Sequence, residues 1–266
     1  MRGDVSARGW RDLHARIDLL ELPQRPDARI AARYAAELAG HDARVLLLGV
    51  TRELAGLGDS LTVVDWSREQ IERLWPGGLS RRGVVLADWR EMSLPRARYT
   101  AAVGDGSLST LAWPEDYRAT LANVVAALAP GGRLVVRCYL APDTPETLDC
   151  VVRDVEAGRE PSFHAARWRM AMAVAGRQGN VGLARIHEAF EQAFPDRERL
   201  ARATGWSLAT IGVIDAFRAS PMVYSFITGA ELLETLPEDF VAARFVPSGD
   251  YPLSERCPFL VAERAG

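Results

Sequence analysis

The sequence has little cysteine, little net charge and no long apolar run, and each shortage argues against a class of protein. Three cysteines occur among 266 residues, and none belongs to a CxxC pair, which favours reduced thiols over a disulfide framework or a zinc cluster. Charges interrupt every apolar run before membrane-spanning length. The formal net charge of -3 gives no basic footprint for nucleic acid. We therefore expect a globular cytoplasmic protein without a nucleic-acid or membrane partner.

The amino-terminal residues also lack the apolar core of a signal peptide, since Asp4, Arg8 and Arg11 flank no such run. Trp10 stands in this polar neighbourhood. We expect residues 1–26 to form an arm over the ends of the first strands. Trp10 then either closes over a bound ligand or anchors a loose terminus, and the sequence leaves both interpretations open.

A strand, a turn, a helix start, a second strand and an acid follow one another from residue 45. The apolar run Val45-Leu46-Leu47-Leu48 stops at Gly49, and the run Leu61-Thr62-Val63-Val64 ends at Asp65. This order is typical of the front of a nucleotide-binding α/β unit, where the carboxylate meets a ribose diol. The loop after Gly49 lacks further glycines and carries Glu53, which would oppose the charge of a pyrophosphate. The loop therefore disfavours NAD and FAD.

The alternation of strands and helices continues along the chain. A helix is predicted from Asp27 to just before Gly40, and others after Thr51, Ser67 and Pro114. Strands are predicted over about 44–48, 61–64, 83–86, 99–103 and 133–139. Since the carboxyl ends of parallel strands share one edge of a sheet, we expect the corners after these strands to form the ligand site.

The order of these corners resembles class I S-adenosylmethionine-dependent methyltransferases. The residues that carry the resemblance are Gly49, Asp65, the Asp88 corner, Gly104-Asp105-Gly106-Ser107 and Leu128-Ala129-Pro130-Gly131-Gly132-Arg133-Leu134. Val241 to Val246 and Cys257 to Glu263 resemble the antiparallel final pair of that family. The order of these motifs along the chain carries the resemblance. It implies an α/β fold with a Rossmann-like methyltransferase sheet, mostly parallel with an antiparallel final strand, plus a helical cap.

The resemblance also divides the chain. Residues 27–140 are expected to be the cofactor-binding α/β core, and residues 141–236 a mainly helical cap with the substrate region. Residues 237–266 would be a strand pair that completes the core sheet. Residues 141–236 exceed the single helix that such a sheet needs at this point, so we expect substrate specificity to lie there.

The implied cofactor is S-adenosylmethionine, with S-adenosylhomocysteine as product. It carries a sulfonium and no phosphate, so a loop with Thr51 and Glu53 in place of glycines suits it. Asp65 would accept both ribose hydroxyls, worth about 1.5–3 kcal/mol. The full set of expected cofactor-binding residues is Gly49, Thr51, Asp65, Trp66, Asp88, Trp89, Gly104, Asp105, Gly106 and Trp10. The alternative for each is an ordinary turn, cap or packing role.

In the cap, Phe163, Trp168, Arg169 and Met172 form the expected substrate cluster, with core packing as the alternative for the aromatic residues and Met172. His164 is the candidate general base, because an unperturbed imidazole titrates near neutrality. A structural histidine is the alternative. No spacing of histidines and carboxylates indicates a metal site.

These expectations combine into a methyltransferase that moves a methyl group from S-adenosylmethionine to a nucleophile of a small molecule, mainly by positioning and water exclusion. The alternatives are another transferase that uses the same cofactor, and a non-catalytic domain with a binding or structural role. The acceptor atom is not readable from the sequence, and a homodimer is left open.

Overall fold

The computed structural model describes residues 17–78 and 83–266. Within these ranges the strands, in chain order, are β1 (Val45–Leu48), β2 (Leu61–Asp65), β3 (Val84–Leu86), β4 (Tyr99–Asp105), β5 (Leu128–Arg137), β6 (Asn180–Gly182), β7 (Val223–Ser225), β8 (Phe240–Val246) and β9 (Phe259–Arg264). Trp10 and most of the expected arm over residues 1–26 lie outside the described residues.

The central sheet has the order β3-β2-β1-β4-β5-β9-β8. Strands β1 to β5 pair in parallel, and β9 runs antiparallel to both β5 and β8. The predicted fold class, mostly parallel with an antiparallel final strand, is therefore confirmed. In the register of the sheet, Leu48 of β1 lies opposite Val64 of β2 and Gly104 of β4. The residues that follow these positions, Gly49, Asp65 and Asp105, consequently share one edge.

The described helices are α1 (Ala28–Glu37), α2 (Arg68–Leu74), α3 (Glu115–Ala127), α4 (Leu148–Glu156), α5 (Phe163–Ala175), α6 (Leu183–Ala193), α7 (Arg197–Thr204), α8 (Leu208–Ile211) and α9 (Gly229–Thr235). Two helix starts are fixed as predicted. The Asp27 side chain accepts from the N–H groups of Arg29 and Ile30, and the Ser67 side chain accepts from the N–H of Gln70. The predicted helix after Thr51 is a single 3-10 turn, Arg52–Leu54.

Every residue of β1 is buried, because the sheet is covered on both faces. One face packs with Ile30 and Tyr34 of α1, and the other with Tyr117 and Leu121 of α3. Leu232 of α9 belongs to this second layer. Helix α9 thus packs on the core sheet although it lies within the residues expected to form the cap.

Helices α4 to α7 and the pair β6–β7, together named the cap, surround a second hydrophobic core, which includes Phe163, Trp168, Ile186, Phe190 and Phe217. The β6–β7 pair was not predicted, because strands of three residues are too short to show alternation. The boundaries of the expected domains stay predictions. No described helix combines the length and the apolar character that a membrane crossing requires.

Candidate active site

A cleft opens where β1, β2 and β4 end, between the sheet edge and the cap. Its empty volume, including the part open to solvent, is about 990 Å³. The sheet edge contributes Gly49 and Asp65, the segment before α1 contributes Arg25, and the cap contributes Trp168 and Tyr224. This placement matches the expectation that the corners of the parallel strands meet at the ligand site.

Most of the residues expected to bind a cofactor line this cleft, namely Gly49, Thr51, Asp65, Trp66, Trp89, Asp105 and Gly106. Gly104 does not line it; its carbonyl oxygen accepts from the Tyr34 hydroxyl at 2.7 Å. Asp88 does not line it either, and its carboxylate binds Arg90, with Nε 2.9 Å from Oδ1. The cofactor roles of these residues stay predictions.

Of the expected substrate cluster, Trp168 lines the cleft. Phe163 packs in the cap core, with its ring edge-on to Phe190 and Trp206. Arg169 is held by carboxylates outside the cleft, including Glu160 at 3.0 Å. Met172 lines a separate cavity. All four residues were expected at the substrate site, and three of them lie outside the cleft lining.

His164, the candidate base, is buried in the cap and does not line the cleft. Its Nε2 lies 2.8 Å from the carbonyl oxygen of Leu19, so Nε2 carries the proton and donates it. Burial, together with the nearby guanidinium of Arg167, lowers the pKa of His164 to about 3. The His164 imidazole is therefore neutral, and its N–H is hydrogen-bonded to the backbone.

Gly49, Asp65 and Trp89 form a tight corner at the ends of β1 and β2. Gly49 has a φ of +92°, and a side chain there would place Cβ 3.4 Å from Trp89 Cζ2 and 4.0 Å from Asp65 Oδ2. The Trp89 indole is fixed because Nε1 donates to the carbonyl oxygen of Val64 at 2.7 Å. The positive φ thus favours glycine, and an added Cβ would touch the indole at van der Waals distance.

The Asp65 carboxyl group is almost fully buried. Burial raises the pKa of Asp65 to about 7, and the backbone N–H groups of Ser67 and Val50 oppose this shift. The Ser67 N–H donates to Oδ1 at 2.8 Å. Asp65 therefore carries an acceptor at the cleft whose charge changes near neutral pH.

Asp105, which lines the cleft, is neutralised by Arg137, whose guanidinium donates from Nη2 to Oδ1 at 2.6 Å and from Nε to Oδ2 at 3.0 Å. Burial alone would lower the pKa of Arg137, but the Asp105 carboxylate holds it well above its ordinary value. The hydroxyls of Tyr34 and Tyr251 also join this group, at 3.3 Å from Asp105 Oδ2 and 3.2 Å from Arg137 Nη1. Arg137 was not among the predicted site residues, although an arginine in the apolar run of β5 indicates a buried partner.

Glu53, in the loop after β1, is bound by Arg25 of the segment before α1. Arg25 Nε and Nη2 both lie 2.7 Å from Glu53 Oε1, and the two side chains are 16% and 19% exposed. Arg25 also donates from Nη1 to the carbonyl oxygen of Ile17 at 2.8 Å. This contact ties the segment before α1 to the loop at the mouth of the cleft. Its partners are 28 residues apart, and no local pattern could have paired them.

No protein-family model matches the sequence, and neither does any curated protein. The fold, in contrast, is shared with solved structures over nearly the whole chain. A Rhodobacter sphaeroides protein named as a candidate Zn-dependent alcohol dehydrogenase has a TM-score of 0.66 and 13% identity, covering 98% of this chain and 99% of that one. The N-methyltransferase NodS from Bradyrhizobium japonicum, in complex with S-adenosylhomocysteine, has a TM-score of 0.51 and 13% identity over 97% of this chain and 100% of its own.

The chain has the Rossmann-like fold of class I S-adenosylmethionine-dependent methyltransferases. Its sheet places β9 antiparallel between β5 and β8, as the resemblance of the last two strands predicts. The names of the two similar structures differ, and at 13% identity each shows the fold alone. The reaction must therefore be argued from the chemistry of the cleft.

Proposed function

We propose that the protein is a methyltransferase that transfers the methyl group of S-adenosylmethionine to a small molecule. The corner of Gly49, Asp65 and Trp89 is the observation that carries this proposal. It combines a glycine at positive φ, a buried carboxylate at the end of β2 and a fixed indole, all lining one cleft. A ribose needs the carboxylate as acceptor for its hydroxyls, and an adenine suits the aromatic surface of Trp66 and Trp89.

The remaining polar groups at the sheet edge fit the amino-acid tail of the cofactor. That tail carries one carboxylate and one ammonium group, and the Arg25–Glu53 pair presents one charge of each sign at the mouth of the cleft. Asp105 is less suited to this role, because Arg137 already occupies both of its oxygens. We assign the tail to Arg25 and Glu53, and a supporting role to Asp105.

S-adenosylmethionine would supply an electrophilic methyl group when bound. The residues of this chain would align the acceptor and exclude water, which is the main requirement of an in-line displacement. Trp168 and Tyr224 of the cap close the cleft opposite the sheet edge. The proposal does not use His164, because its N–H is bonded to Leu19 and it lies outside the cleft lining.

The described groups that could hold a metal ion lie away from the cleft. They are Glu146 with Cys150 and Asp154, and His187 with Glu191 and Asp215. An arginine already contacts carboxylates of each group, Arg169 in the first and Arg197 in the second. This donor arrangement does not favour a metal-dependent reaction at the cleft.

Calorimetric titration of the full chain with S-adenosylhomocysteine tests the proposal. We expect a dissociation constant at about the micromolar level. Asp65→Ala should weaken binding about tenfold or more, the cost of a lost charge-assisted hydrogen bond. Asp196→Ala is the matched control, since Asp196 also accepts a backbone N–H but caps α7 away from the cleft.

Absence of binding at millimolar S-adenosylhomocysteine would contradict the proposal and favour a non-catalytic domain. Equal affinities of the wild-type protein and Asp65→Ala would contradict the role of Asp65. Product mass separates methyl transfer, which adds one CH₂ to the acceptor, from transfer of a larger part of the cofactor.

A further inference from the structure

Arg167 of α5 carries a buried positive charge in the cap that has no hydrogen-bond partner among the described residues. Its side chain is 1% exposed, and none of Nε, Nη1 and Nη2 has a hydrogen-bond partner among residues 17–78 and 83–266. The guanidinium has five N–H donors and stays protonated in proteins. A buried charge without an acceptor is costly, so its retention needs an explanation.

Other arginines of the protein are paired where they are removed from water. Arg137 is bound by Asp105 at 2.6 Å, Arg169 by Asp154 at 2.6 Å, and Arg197 by Asp215 at 2.7 Å. These pairs follow the general rule that buried charges have partners. Arg167 departs from that rule.

Three aromatic rings surround the Arg167 guanidinium. Its Cζ lies 5.1 Å from the ring centre of Phe217, 5.5 Å from Trp168 and 5.9 Å from Phe163. Cation–π attraction to these rings offsets part of the desolvation cost. The ring faces do not replace hydrogen-bond acceptors, and burial lowers the pKa of Arg167 to about 10.

Two of the rings connect Arg167 to the cleft. Trp168 lines the cleft and packs 5.2 Å from Tyr224, which lines it too, and Tyr224 packs 5.8 Å from Phe217. Arg167 therefore lies directly behind the cap wall of the cleft. The other titratable groups that interact with it are His164, which is neutral, and Tyr139, whose hydroxyl donates to the backbone of Pro23 or Gln24.

The Tyr224 hydroxyl is one hydrogen-bond donor of this wall, and the other is Nε1 of Trp168, which has no partner among the described residues. Tyr224 lines the cleft, and its hydroxyl has no hydrogen bond to another residue in the part of the chain that the structure describes. Burial raises the pKa of Tyr224 to about 12, although Arg167 opposes the shift. The phenol is therefore neutral near pH 7 and can donate to an occupant of the cleft.

We propose that Tyr224 and Arg167 form a subsite for an ionised oxygen of the methyl acceptor, which makes the substrate an acidic hydroxyl compound such as a phenol or an enol. Tyr224 contacts the oxygen, and Arg167 is a positioning residue that supplies the counter-charge from behind. The inference rests on the proposed function, because it names the substrate class of the same cleft. Trp168 and Tyr139 both line the cleft with their rings 4.9 Å apart, so this part of the wall is aromatic.

This subsite explains how the reaction proceeds without a general base. The lone pair of the ionised oxygen forms the new C–O bond while the C–S bond breaks and its electron pair returns to sulfur. The oxygen has no proton to lose, so the step balances with the acceptor and the cofactor alone. The remote position of His164 is then of no consequence for the chemistry.

The test uses 4-nitrophenol, whose ionised form is read from its absorbance, and nitrobenzene as a neutral probe of similar shape. Both are titrated into the full chain with and without S-adenosylhomocysteine, over a range of pH. We expect the wild-type protein to bind the ionised form about tenfold or more tightly than the neutral phenol. Arg167→Met should remove this preference and change the affinity for nitrobenzene less than about twofold, because Met retains the buried chain without the charge.

Tyr224→Phe should reduce the preference by about threefold or more, the effect of one lost hydrogen bond. The controls are Arg202→Met, which removes an exposed charge of α7, and Tyr117→Phe, which removes a buried hydroxyl bonded to Ser225. Both should keep the wild-type preference for the ionised probe. The absorbance of bound 4-nitrophenol shows whether binding favours its ionised form. A purely packing role of Arg167 would leave the ionisation of the bound probe unchanged.

An Arg167→Met protein that folds, as judged by its thermal unfolding, and keeps the preference would overturn the proposal. Should that variant not fold, Tyr224→Phe decides, because it removes one oxygen atom from a side chain that already faces the cleft. A wild-type protein that binds S-adenosylhomocysteine but shows no preference for the ionised probe, or no saturable binding of it, refutes the subsite alone. Failure to bind S-adenosylhomocysteine refutes the proposed function, while the preference measured without it still reports on the subsite.

Discussion

The sheet side and the cap side of the cleft carry their charges differently. On the sheet side, Asp105 is bonded to Arg137 and Glu53 to Arg25, so both acids have counter-charges from the protein itself. On the cap side, Arg167 has none among the described residues. A cofactor site that serves every turnover benefits from a wall that is already neutral and rigid, whereas the cap wall retains a charge that an anionic acceptor can neutralise.

The largest effect should come from breaking the neutral network of the sheet side. Asp105→Asn leaves the buried guanidinium of Arg137 without its counter-charge, and we expect a loss of about 3–5 kcal/mol in the free energy of unfolding. Urea denaturation measures it. The double variant Asp105→Asn with Arg137→Met should recover much of the loss, since both charges are then absent. A single variant as stable as the wild-type protein would show that this pair does not hold the sheet side together.

A second effect concerns the pH dependence of cofactor binding, which Asp65 should control from the sheet side. Its folded pKa of about 7 means that the carboxyl group is partly protonated at neutral pH. Ribose hydroxyls donate to the ionised form, so the affinity for S-adenosylhomocysteine should rise by up to about tenfold per pH unit below 7 and level off above it. Calorimetry across pH 5.5 to 8.5, a range of about three units around that value, measures the profile.

The stability of the protein should respond to the same group with the opposite sign. Because the folded pKa of Asp65 lies above the ordinary value of 3.8, the neutral carboxyl contributes stability that is fully present below about pH 4 and is lost as pH rises through about 7. The expected loss is roughly 1–4 kcal/mol. Asp65→Asn keeps a neutral side chain and should flatten both pH profiles. Unchanged profiles in this variant would assign the dependence to other groups.

A smaller effect should follow from filling the corner beside Asp65. Gly49→Ala places a side chain at a φ of +92° and 3.4 Å from the Trp89 ring, and we expect about 1–2 kcal/mol lower stability together with weaker binding of S-adenosylhomocysteine. Gly131→Ala is the matched control, because Gly131 has a φ of +72° with nothing within 4 Å of the added Cβ. It should lose comparable stability and keep its affinity. If both variants bind S-adenosylhomocysteine with equal affinity, Gly49 does not contribute to the cofactor site.

The elements that the sequence predicts well are those with local patterns. Residues close together in the chain determine the buried run of β1, the N-cap of α1 at Asp27 and the acid that ends β2. The sheet edge and its corner residues could therefore be placed before the structure was known. One tertiary pairing was also readable in principle, since Arg137 interrupts an apolar strand.

The cap and the mouth of the cleft depend on contacts that no local pattern contains. Helical periodicity does not distinguish Arg167 from Arg169 two positions later, yet Arg169 is bonded to carboxylates and Arg167 has no hydrogen-bond partner among the described residues. Likewise the 3-residue strands β6 and β7 pair across 40 or more intervening positions. Long-range packing decides which charged side chains are enclosed, and sequence patterns do not determine it.

The smallest expected effect comes from the contact between the segment before α1 and the loop after β1. Arg25→Gln removes the cation that we assign to the carboxylate of the cofactor tail and should weaken binding of S-adenosylhomocysteine about two- to fivefold, because an ion pair of a partly exposed side chain is worth about 1 kcal/mol or less. Arg29→Gln is the control, since Arg29 pairs with Asp27 on the exposed start of α1. A loss confined to Arg25→Gln would show that the arm participates in the site, and an unchanged affinity would restrict the cofactor site to the ends of the strands.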